Sequence, residues 1–305
     1  MITALAGGVG AARFLTGLAK LVDPKELTVV VNTGDDMELW GLHISPDIDI
    51  VTYTLAGIAD DGKGWGIKGD TFHFLHTLGK LGLETWFNIG DRDLATHVFR
   101  TLRLSQGATL SAVSAEVCRA FGVEVSILPM TDDRFETRIV TEHGSMHFEE
   151  YFVKNKAAAN VLGVEFPGAE RVTPAPGVTD ALRNSESVIV CPSNPIVSIG
   201  TILAVKGIRD ALKQSRARKA AVSPIIAGAP VKGPADKLMR GLGLEVSAFS
   251  VAKLYADFLD AFVIDTADAE EKRRIEELGL DVVVANTVMR SLDDKMRLAK
   301  AALDA

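Results

Sequence analysis

The 305-residue sequence predicts an α/β protein with a doubly wound, mostly parallel, Rossmann-like sheet that carries a helical and β-strand insertion. Three observations support this fold class. Short apolar runs rich in β-branched residues alternate with helical patterns toward both ends of the chain, as in successive βαβ units. Within these runs the apolar residues follow one another without alternation, which is typical of strands buried on both faces. In the middle of the chain the alternation stops, which indicates an insertion.

The predicted elements follow the chain in order. The strands are Ile2–Ala6, Leu27–Asn32, Val188–Cys191, Ala220–Ser223, Phe262–Asp265 and Val282–Ala285. The helices are Ala11–Leu21, Ile208–Lys213, Lys237–Leu242, Ala252–Phe258, Ala267–Leu278 and Met289–Leu303. Residues 71–121 carry three helical segments with no strand between them, and residues 123–150 carry strand patterns around a Glu-His-Gly turn. We therefore predict a nucleotide-binding core from residues 1–60 and 170–305, and an insertion over residues 60–170.

The composition excludes several classes of protein. With 47% hydrophobic residues the chain can bury ample core, so it is not disordered. There are 33 basic and 40 acidic residues, and a net charge of −7 argues against a nucleic-acid partner. Two cysteines, Cys118 and Cys191, cannot build a disulfide framework or a multi-cysteine metal site. The longest uncharged stretch, Ser187–Val205, contains prolines and a glycine, and no signal-peptide pattern is present, so we expect a cytoplasmic protein without a membrane partner.

The first candidate binding element is a glycine-rich loop between the first strand and the first helix. Gly7, Gly8 and Gly10 lie within four residues, so the backbone can approach a phosphate and direct N–H groups at it. The loop is not the dinucleotide fingerprint, because Arg13 stands where the last small residue belongs, and no Gly-Lys-Ser/Thr follows as in a Walker A motif. A tight turn without a ligand is the alternative. We predict a phosphate cradle for a nucleotide, which Arg13 can reinforce.

Polar side chains follow two later strands of the predicted sheet. Asn32 and Thr33 end the second strand, and Ser193 and Asn194 follow the strand that ends at Cys191. A third loop, over residues 223–235, supplies glycines and a lysine. In an open α/β sheet the ligand crevice lies at the carboxyl ends of the strands. Each loop alone is compatible with a connector, but together they predict a nucleotide crevice.

Aspartates are concentrated in the first third of the chain, without accompanying metal-binding cysteines or a His-x-x-x-His pair. Asp35 and Asp36 follow the second strand, and Asp47 and Asp49 begin an apolar helical run. Oxygen ligands without nitrogen or sulfur suit Mg²⁺ that bridges substrate phosphates. Asp35, Asp36 and Asp47 are therefore candidate magnesium ligands. The alternatives are a solvated turn for the first pair and a helix N-cap for the second.

The motifs GGVGAARFL, VVVNTGDD, ISPDIDIVTYTLAG, GWGIKGDTF, GDRDLATH, LPMTDD, CPSNPIVSIG and SPIIAGAPVKGPADKLM occur in this order. On these motifs the chain resembles the 2-phospho-L-lactate transferase family of coenzyme F420 biosynthesis, from residue 1 to about residue 290. The resemblance implies a guanylylated donor, lactyl-2-diphospho-5′-guanosine or its enolpyruvyl relative, and leaves open which of the two. It also implies the deazaflavin Fo (7,8-didemethyl-8-hydroxy-5-deazariboflavin) as acceptor, GMP as product, Mg²⁺ as cofactor and a homodimer, with the insertion contributing to the acceptor site.

The resemblance also implies individual site residues. The family's deazaflavin-binding aspartate lies in a Ser-Pro-Asp-x-Asp motif and corresponds to Asp49, which as an ionised carboxylate can align the acceptor hydroxyl or accept its proton. A second acceptor contact precedes Gly-Asp-Arg-Asp and is usually basic, whereas here it is Asn88. Trp65 is a candidate for an aromatic side chain beside the deazaflavin ring, and a core tryptophan is the alternative.

Two rival functions are compatible with some of the same residues. A non-catalytic, sugar-nucleotide-binding regulatory protein of the same fold would share the glycine loop, but we would not expect the motif around Asp49 or the Gly-Asp-Arg-Asp motif. A nucleotidyltransferase would place its arginine two residues after the third glycine, whereas Arg13 comes three residues after Gly10.

Overall fold

A computed structural model describes residues 1–305. The strands are β1 (Ile2–Ala6), β2 (Leu27–Val31), β3 (Met37–Leu39), β4 (Leu42–Ile44), β5 (Ser126–Pro129), β6 (Arg138–Thr141), β7 (Gly144–His147), β8 (Val161–Glu165), β9 (Ser187–Val190), β10 (Arg218–Val222), β11 (Ile225–Ile226), β12 (Ala229–Pro230), β13 (Ala261–Asp265) and β14 (Asp281–Ala285). The α-helices are α1 (Gly8–Leu21), α2 (Pro46–Leu55), α3 (His73–Lys80), α4 (Asp91–Ser105), α5 (Leu110–Ala120), α6 (Val178–Asn184), α7 (Ile199–Ala204), α8 (Ile208–Gln214), α9 (Ala235–Gly241), α10 (Ala248–Tyr255), α11 (Lys272–Glu276) and α12 (Leu292–Leu303).

The central sheet confirms the predicted fold class. Seven strands lie in the order β14-β13-β10-β9-β1-β2-β5, and every neighbouring pair is parallel. All six predicted strands belong to this sheet. The seventh, β5, comes from the segment predicted as an insertion and pairs with β2 at the sheet edge. Residues 60–170 thus contribute one strand to the central sheet. The division of the chain into a core and an insertion stays a prediction.

Helices cover both faces of the sheet and create two apolar cores. Along β1 the side chain of Leu5 enters one core, and those of Ala4 and Ala6 enter the other. The segment predicted as one helix over 267–278 is a 3₁₀ turn (Thr266–Glu271) followed by α11, because the backbone at Asp268 is not helical. No helix of the structure combines the length and the apolar character needed to cross a lipid bilayer.

The first and last helices of the sequence pack directly on each other. A Cβ at Gly17 of α1 would collide with the backbone of α12 at Lys295 and Met296, so only glycine permits this close approach. Leu298 and Ala302 of α12 are buried in the same core as α1. The two ends of the chain therefore complete one side of the fold together.

Candidate functional site

A cavity of about 740 Å³ lies at the carboxyl ends of the central strands. The loops that follow β1, β9, β10 and β14 all contribute to its lining, as expected for an open parallel sheet. The cavity collects eleven of the predicted site residues, namely Gly7, Gly8, Gly10, Arg13, Asp35, Asp47, Asp49, Trp65, Asn88, Ser193 and Asn194.

Three predicted residues lie outside this cavity. Asn32 is fully buried, and its side-chain amide donates to Asp47 Oδ2 at 2.9 Å. It therefore orients the Asp47 carboxylate without lining the cavity itself. Thr33 and Asp36 line a separate cavity of about 580 Å³. The carboxylate of Asp36 accepts hydrogen bonds there from Ser45 Oγ at 2.6 Å and from His43 Nε2 at 3.0 Å.

The glycine loop is joined to the carboxylates by direct hydrogen bonds. The amide of Gly8, the first residue of α1, donates to Asp47 Oδ1 at 2.8 Å, and the amide of Gly7 donates to Ser193 Oγ at 3.3 Å. A Cβ at Gly10 would collide with the carbonyl oxygen of Pro192, so the loop after β9 lies directly on the helix start. The N-terminus of α1 favours negative charge, and one of its amides already donates to the carboxylate of Asp47.

Three buried carboxylates of like charge face the cavity together. Asp35, Asp47 and Glu149 are 4%, 6% and 6% exposed. Burial, with the repulsion of Asp47 added, raises the pKa of Asp35 well above its usual value and raises the pKa of Glu149 to about 8. Burial also raises the pKa of Asp47 to about 6, although Asn32 and Gly8 oppose that shift. One oxygen of Asp35, Oδ1, is buried without a hydrogen-bond partner. The cluster is therefore a place where a cation would be favoured.

Asp49 belongs to a second buried network. Both its oxygens contact the guanidinium of Arg100, which is 1% exposed, and its Oδ2 lies 3.6 Å from His97 Nδ1. On the other side of the imidazole, His97 Nε2 lies 3.4 Å from Asp93 Oδ1, which accepts a hydrogen bond from Tyr53 at 2.8 Å. Burial raises the pKa of Asp49, and the charge of Arg100 opposes the shift. Asp49, Asp93 and His97 each place one possible ligand atom within 4.8 Å of the others, so they could hold a metal ion.

Cationic side chains also line the cavity, beside the glycine loop. Arg13, Lys63 and Lys232 all line it. A Cβ at Gly64 would lie 2.7 Å from Lys232 Nζ and 3.4 Å from Val9 Cγ1. The loop that carries Lys63 and Gly64 therefore touches both the glycine loop and the loop after β12. This arrangement can neutralise a bound anion.

Several of these side chains were not predicted. Arg100 and His97 lie on the inward face of α4 with Asp93, at the spacing i, i+4 and i+7. That spacing of polar residues on the buried face was the one available signal. Lys232 is the lysine of the loop over residues 223–235, which the sequence assigned to the crevice. Glu149 carries no comparable local signature, and it reaches the site only because the fold brings distant segments together.

Comparison with known proteins indicates the family of the chain. A family model described as 2-phospho-L-lactate transferase CofD matches residues 2–300. The chain is 43% identical over 303 residues to the 2-phospho-L-lactate transferase of Methanothermobacter thermautotrophicus, covering 99% of this chain and 97% of the relative. It is 42% identical over 308 residues to the phosphoenolpyruvate transferase of Streptomyces coelicolor, with the same coverage. The crystal structure of a UPF0052 family member from Bacillus halodurans superimposes with a TM-score of 0.65 over 99% of this chain and 98% of that one, and at 16% identity it shows a shared fold alone.

Proposed function

We propose substrates and residue roles for this chain from the premise that it belongs to the 2-phospho-L-lactate transferase family and is a transferase of coenzyme F420 biosynthesis. The proposed donor is a guanylylated phospholactate, or its phosphoenolpyruvate counterpart, and the proposed acceptor is the deazaflavin Fo. Relatives named for each of the two transferred groups are similar to this chain at nearly equal identity, 43% and 42%, so both donors need to be tested.

The donor diphosphate is proposed to bind at the start of α1. The amides of Gly7 and Gly8 are already bonded within the protein, which leaves the next amides of the first turn for a phosphate. Arg13, Lys63 and Lys232 lie around the same loop and supply positive charge. Phosphoryl transfer depends chiefly on positioning and on neutralising charge, which is what these groups provide.

The acceptor is proposed to approach from the side of Asp49 and Asn88. Its terminal ribityl hydroxyl attacks the phosphorus that carries the lactyl group, and the proton passes to Asp49. The bond from that phosphorus to the bridging oxygen breaks, and GMP leaves with the bonding electrons. Arg100 fixes the carboxylate of Asp49 through both oxygens, so the proton acceptor is held in one orientation.

Mg²⁺ is the proposed cofactor, and Asp35, Asp47 and Glu149 are the residues proposed to hold it. All three are buried oxygen donors that line the same cavity, and the unpartnered Oδ1 of Asp35 is suited to a cation. When bound, Mg²⁺ would neutralise charge on the donor diphosphate. In this proposal Glu149 takes the place of Asp36, which faces the second cavity.

The other possible metal ligands are less suited to Mg²⁺. Asp49, Asp93 and His97 include a nitrogen donor, and the charge of Asp49 is already balanced by the guanidinium of Arg100. A cation there would be repelled by Arg100. We therefore favour the three-carboxylate cluster.

One observation carries the proposal: a single cavity joins the glycine loop, the carboxylate cluster, Asp49 and Asn88. The test incubates purified protein with Fo and each donor in turn, with Mg²⁺ or with a chelator, and follows products by mass spectrometry. Formation of the Fo phosphodiester and GMP only with Mg²⁺ supports the transfer and the cofactor. Tight nucleotide binding without turnover of either donor would instead favour the regulatory alternative. Light scattering of the same sample tests the homodimer.

A further inference from the structure

Five aromatic side chains line the large cavity, namely Tyr53, Trp65, Phe87, Phe148 and Phe152, and the sequence indicated only Trp65 as a ligand contact. Two of the others, Phe148 and Phe152, form a stacked pair with ring centroids 5.7 Å apart and planes inclined by 7°. We call this pair the aromatic wall. Phe148 is 6% exposed and anchors the pair, while Phe152 is 39% exposed and presents its ring at the cavity. An exposed, pre-oriented ring of this kind is suited to a planar ligand.

The backbone that presents Phe152 is unusual. It lies in a short π-helical turn, Glu150–Lys154, which is closed by a hydrogen bond from the Asn155 amide to the Glu150 carbonyl oxygen at 2.8 Å. Beyond Asn155, Lys156 and Ala157 have left-handed φ angles of 51° and 49°. Single π-helical turns occur frequently at functional sites, and left-handed non-glycine residues persist only where the surrounding structure holds them.

The π-helical turn contacts the segment before Asn88 through Lys154, Glu84 and Trp86, which line the smaller cavity. Lys154, at the end of the π-helical turn, bonds Glu84 at 2.6 Å and lies 5.8 Å from the ring centroid of Trp86. Trp86 is two residues before Asn88, and the ring of the intervening Phe87 also lines the cavity. The turn therefore packs against the segment that carries a proposed acceptor contact.

Trp65 is tied to the donor side instead. The neighbouring Gly64 contacts Val9 of the glycine loop and Lys232. In addition, Lys63 Nζ lies 5.3 Å from the ring centroid of Trp65, so a cation already lies over this ring. These contacts place Trp65 beside the proposed diphosphate site.

We propose that the tricyclic ring of the acceptor stacks on Phe152 of the aromatic wall, and that Trp65 borders the donor. This inference rests on the proposed function, because it concerns the acceptor of that reaction. Stacking at Phe152 leaves the ribityl chain to extend toward Asp49 and the carboxylate cluster, in which Glu149 directly follows Phe148. Phe152 would thus select for a flat aromatic acceptor.

The test measures the Kd for Fo from the fluorescence of Fo during titration with protein, and the Kd for GDP by calorimetry. Phe152→Leu keeps apolar volume but removes the ring, and it should raise the Kd for Fo about 3- to 10-fold while leaving that for GDP within about twofold. Phe152→Tyr keeps the ring and should bind Fo like the wild type. Trp65→Leu should affect GDP more than Fo. Because Phe152 and Trp65 are both partly exposed, these variants are expected to fold, and circular dichroism checks this.

The inference stands if Phe152→Leu raises the Kd for Fo more than Trp65→Leu does and Phe152→Tyr restores it. It is overturned if Trp65→Leu has the larger effect on Fo, if the two effects are equal, or if tyrosine does not restore binding. Wild-type protein that binds GDP but not Fo would overturn the proposed acceptor itself, a result distinct from all of these.

Discussion

Glu149 offers the most direct test of the buried carboxylate cluster. Its side chain is 6% exposed and faces the cavity with Asp35 and Asp47. Replacing it with glutamine keeps the size and shape of the side chain and removes its ability to ionise. If repulsion and burial act on this group as described, the variant should differ from the wild type chiefly in how stability depends on pH.

The sign and size of the pH effect on the free energy of unfolding follow from the pKa of Glu149. Burial and the nearby Asp47 raise the pKa of Glu149 from 4.5 to about 8. Above pH 4.5 the unfolded chain loses this proton while the folded protein keeps it, so the free energy of unfolding falls as pH rises, until the folded group ionises near pH 8. One retained proton corresponds to about 1.4 kcal/mol per pH unit, or roughly 2 kcal/mol between about pH 6 and 8, because ionisation of the folded group near pH 8 ends the change. For a chain of this length that lowers the Tm by about 4 °C.

The assay is thermal unfolding of metal-free protein, followed by circular dichroism at several pH values between 6 and 8. The Tm of the wild type should fall across this range, and that of Glu149→Gln should fall by about 4 °C less. The contribution of Asp35 remains in both proteins. Glu150→Gln is the matched control, because Glu150 lines the second cavity and should keep the wild-type dependence. Saturating Mg²⁺ should raise the Tm of the wild type more than that of Glu149→Gln. Identical pH dependence in the wild type and Glu149→Gln would refute the reasoning.

The other predictions concern the glycine loop, the Asp49 network and the cations. Gly10→Ala places a Cβ against a backbone carbonyl and should weaken GDP binding at least about tenfold by calorimetry, whereas Gly163→Ala, which meets only ordinary contacts, should not. Asp49→Asn should lower turnover far more than GDP affinity, and equal losses would contradict its role at the acceptor. Arg100→Ala leaves a buried carboxylate unpaired and should lower the free energy of unfolding by about 3–5 kcal/mol, and an unchanged urea midpoint would count against this ion pair. Lys232→Ala should weaken GDP binding about tenfold at low salt, and an effect that does not shrink with added salt would exclude a charge contribution.

Much of the fold could be predicted because strands buried on both faces leave a plain signal. The six runs of successive apolar residues all became strands of the central sheet. A strand pattern was also predicted over the segment that contains β5, but its place in the central sheet was not, because four helices, α2 to α5, separate it from β4. The break in the helix over 267–278 was also hidden, since its cause is the backbone conformation at Asp268.

The candidate site likewise has a part that could be predicted from the sequence and a part that could not. Residues in loops directly after strands could be located in the cavity, because the carboxyl ends of parallel strands share one edge. Which way a side chain points could not be predicted: adjacent residues of one turn face different cavities, Asp35 the large one and Asp36 the small one. Partners from distant segments were also out of reach, as with Arg100, which lies 51 residues from Asp49.

The packing of α1 on α12 affects how this chain is made. The first 21 residues supply β1 and α1, yet β1 needs β9 on its inner edge and α1 needs the helix over Leu292–Leu303. On a ribosome that adds about 5–20 residues per second, β1 waits roughly 10–40 s with one edge unpaired. We therefore expect the native packing of β1 and α1 to form only after α12 has been synthesised. Fragments that stop before residue 292 should be prone to aggregation, because they leave the groove at Gly17 open.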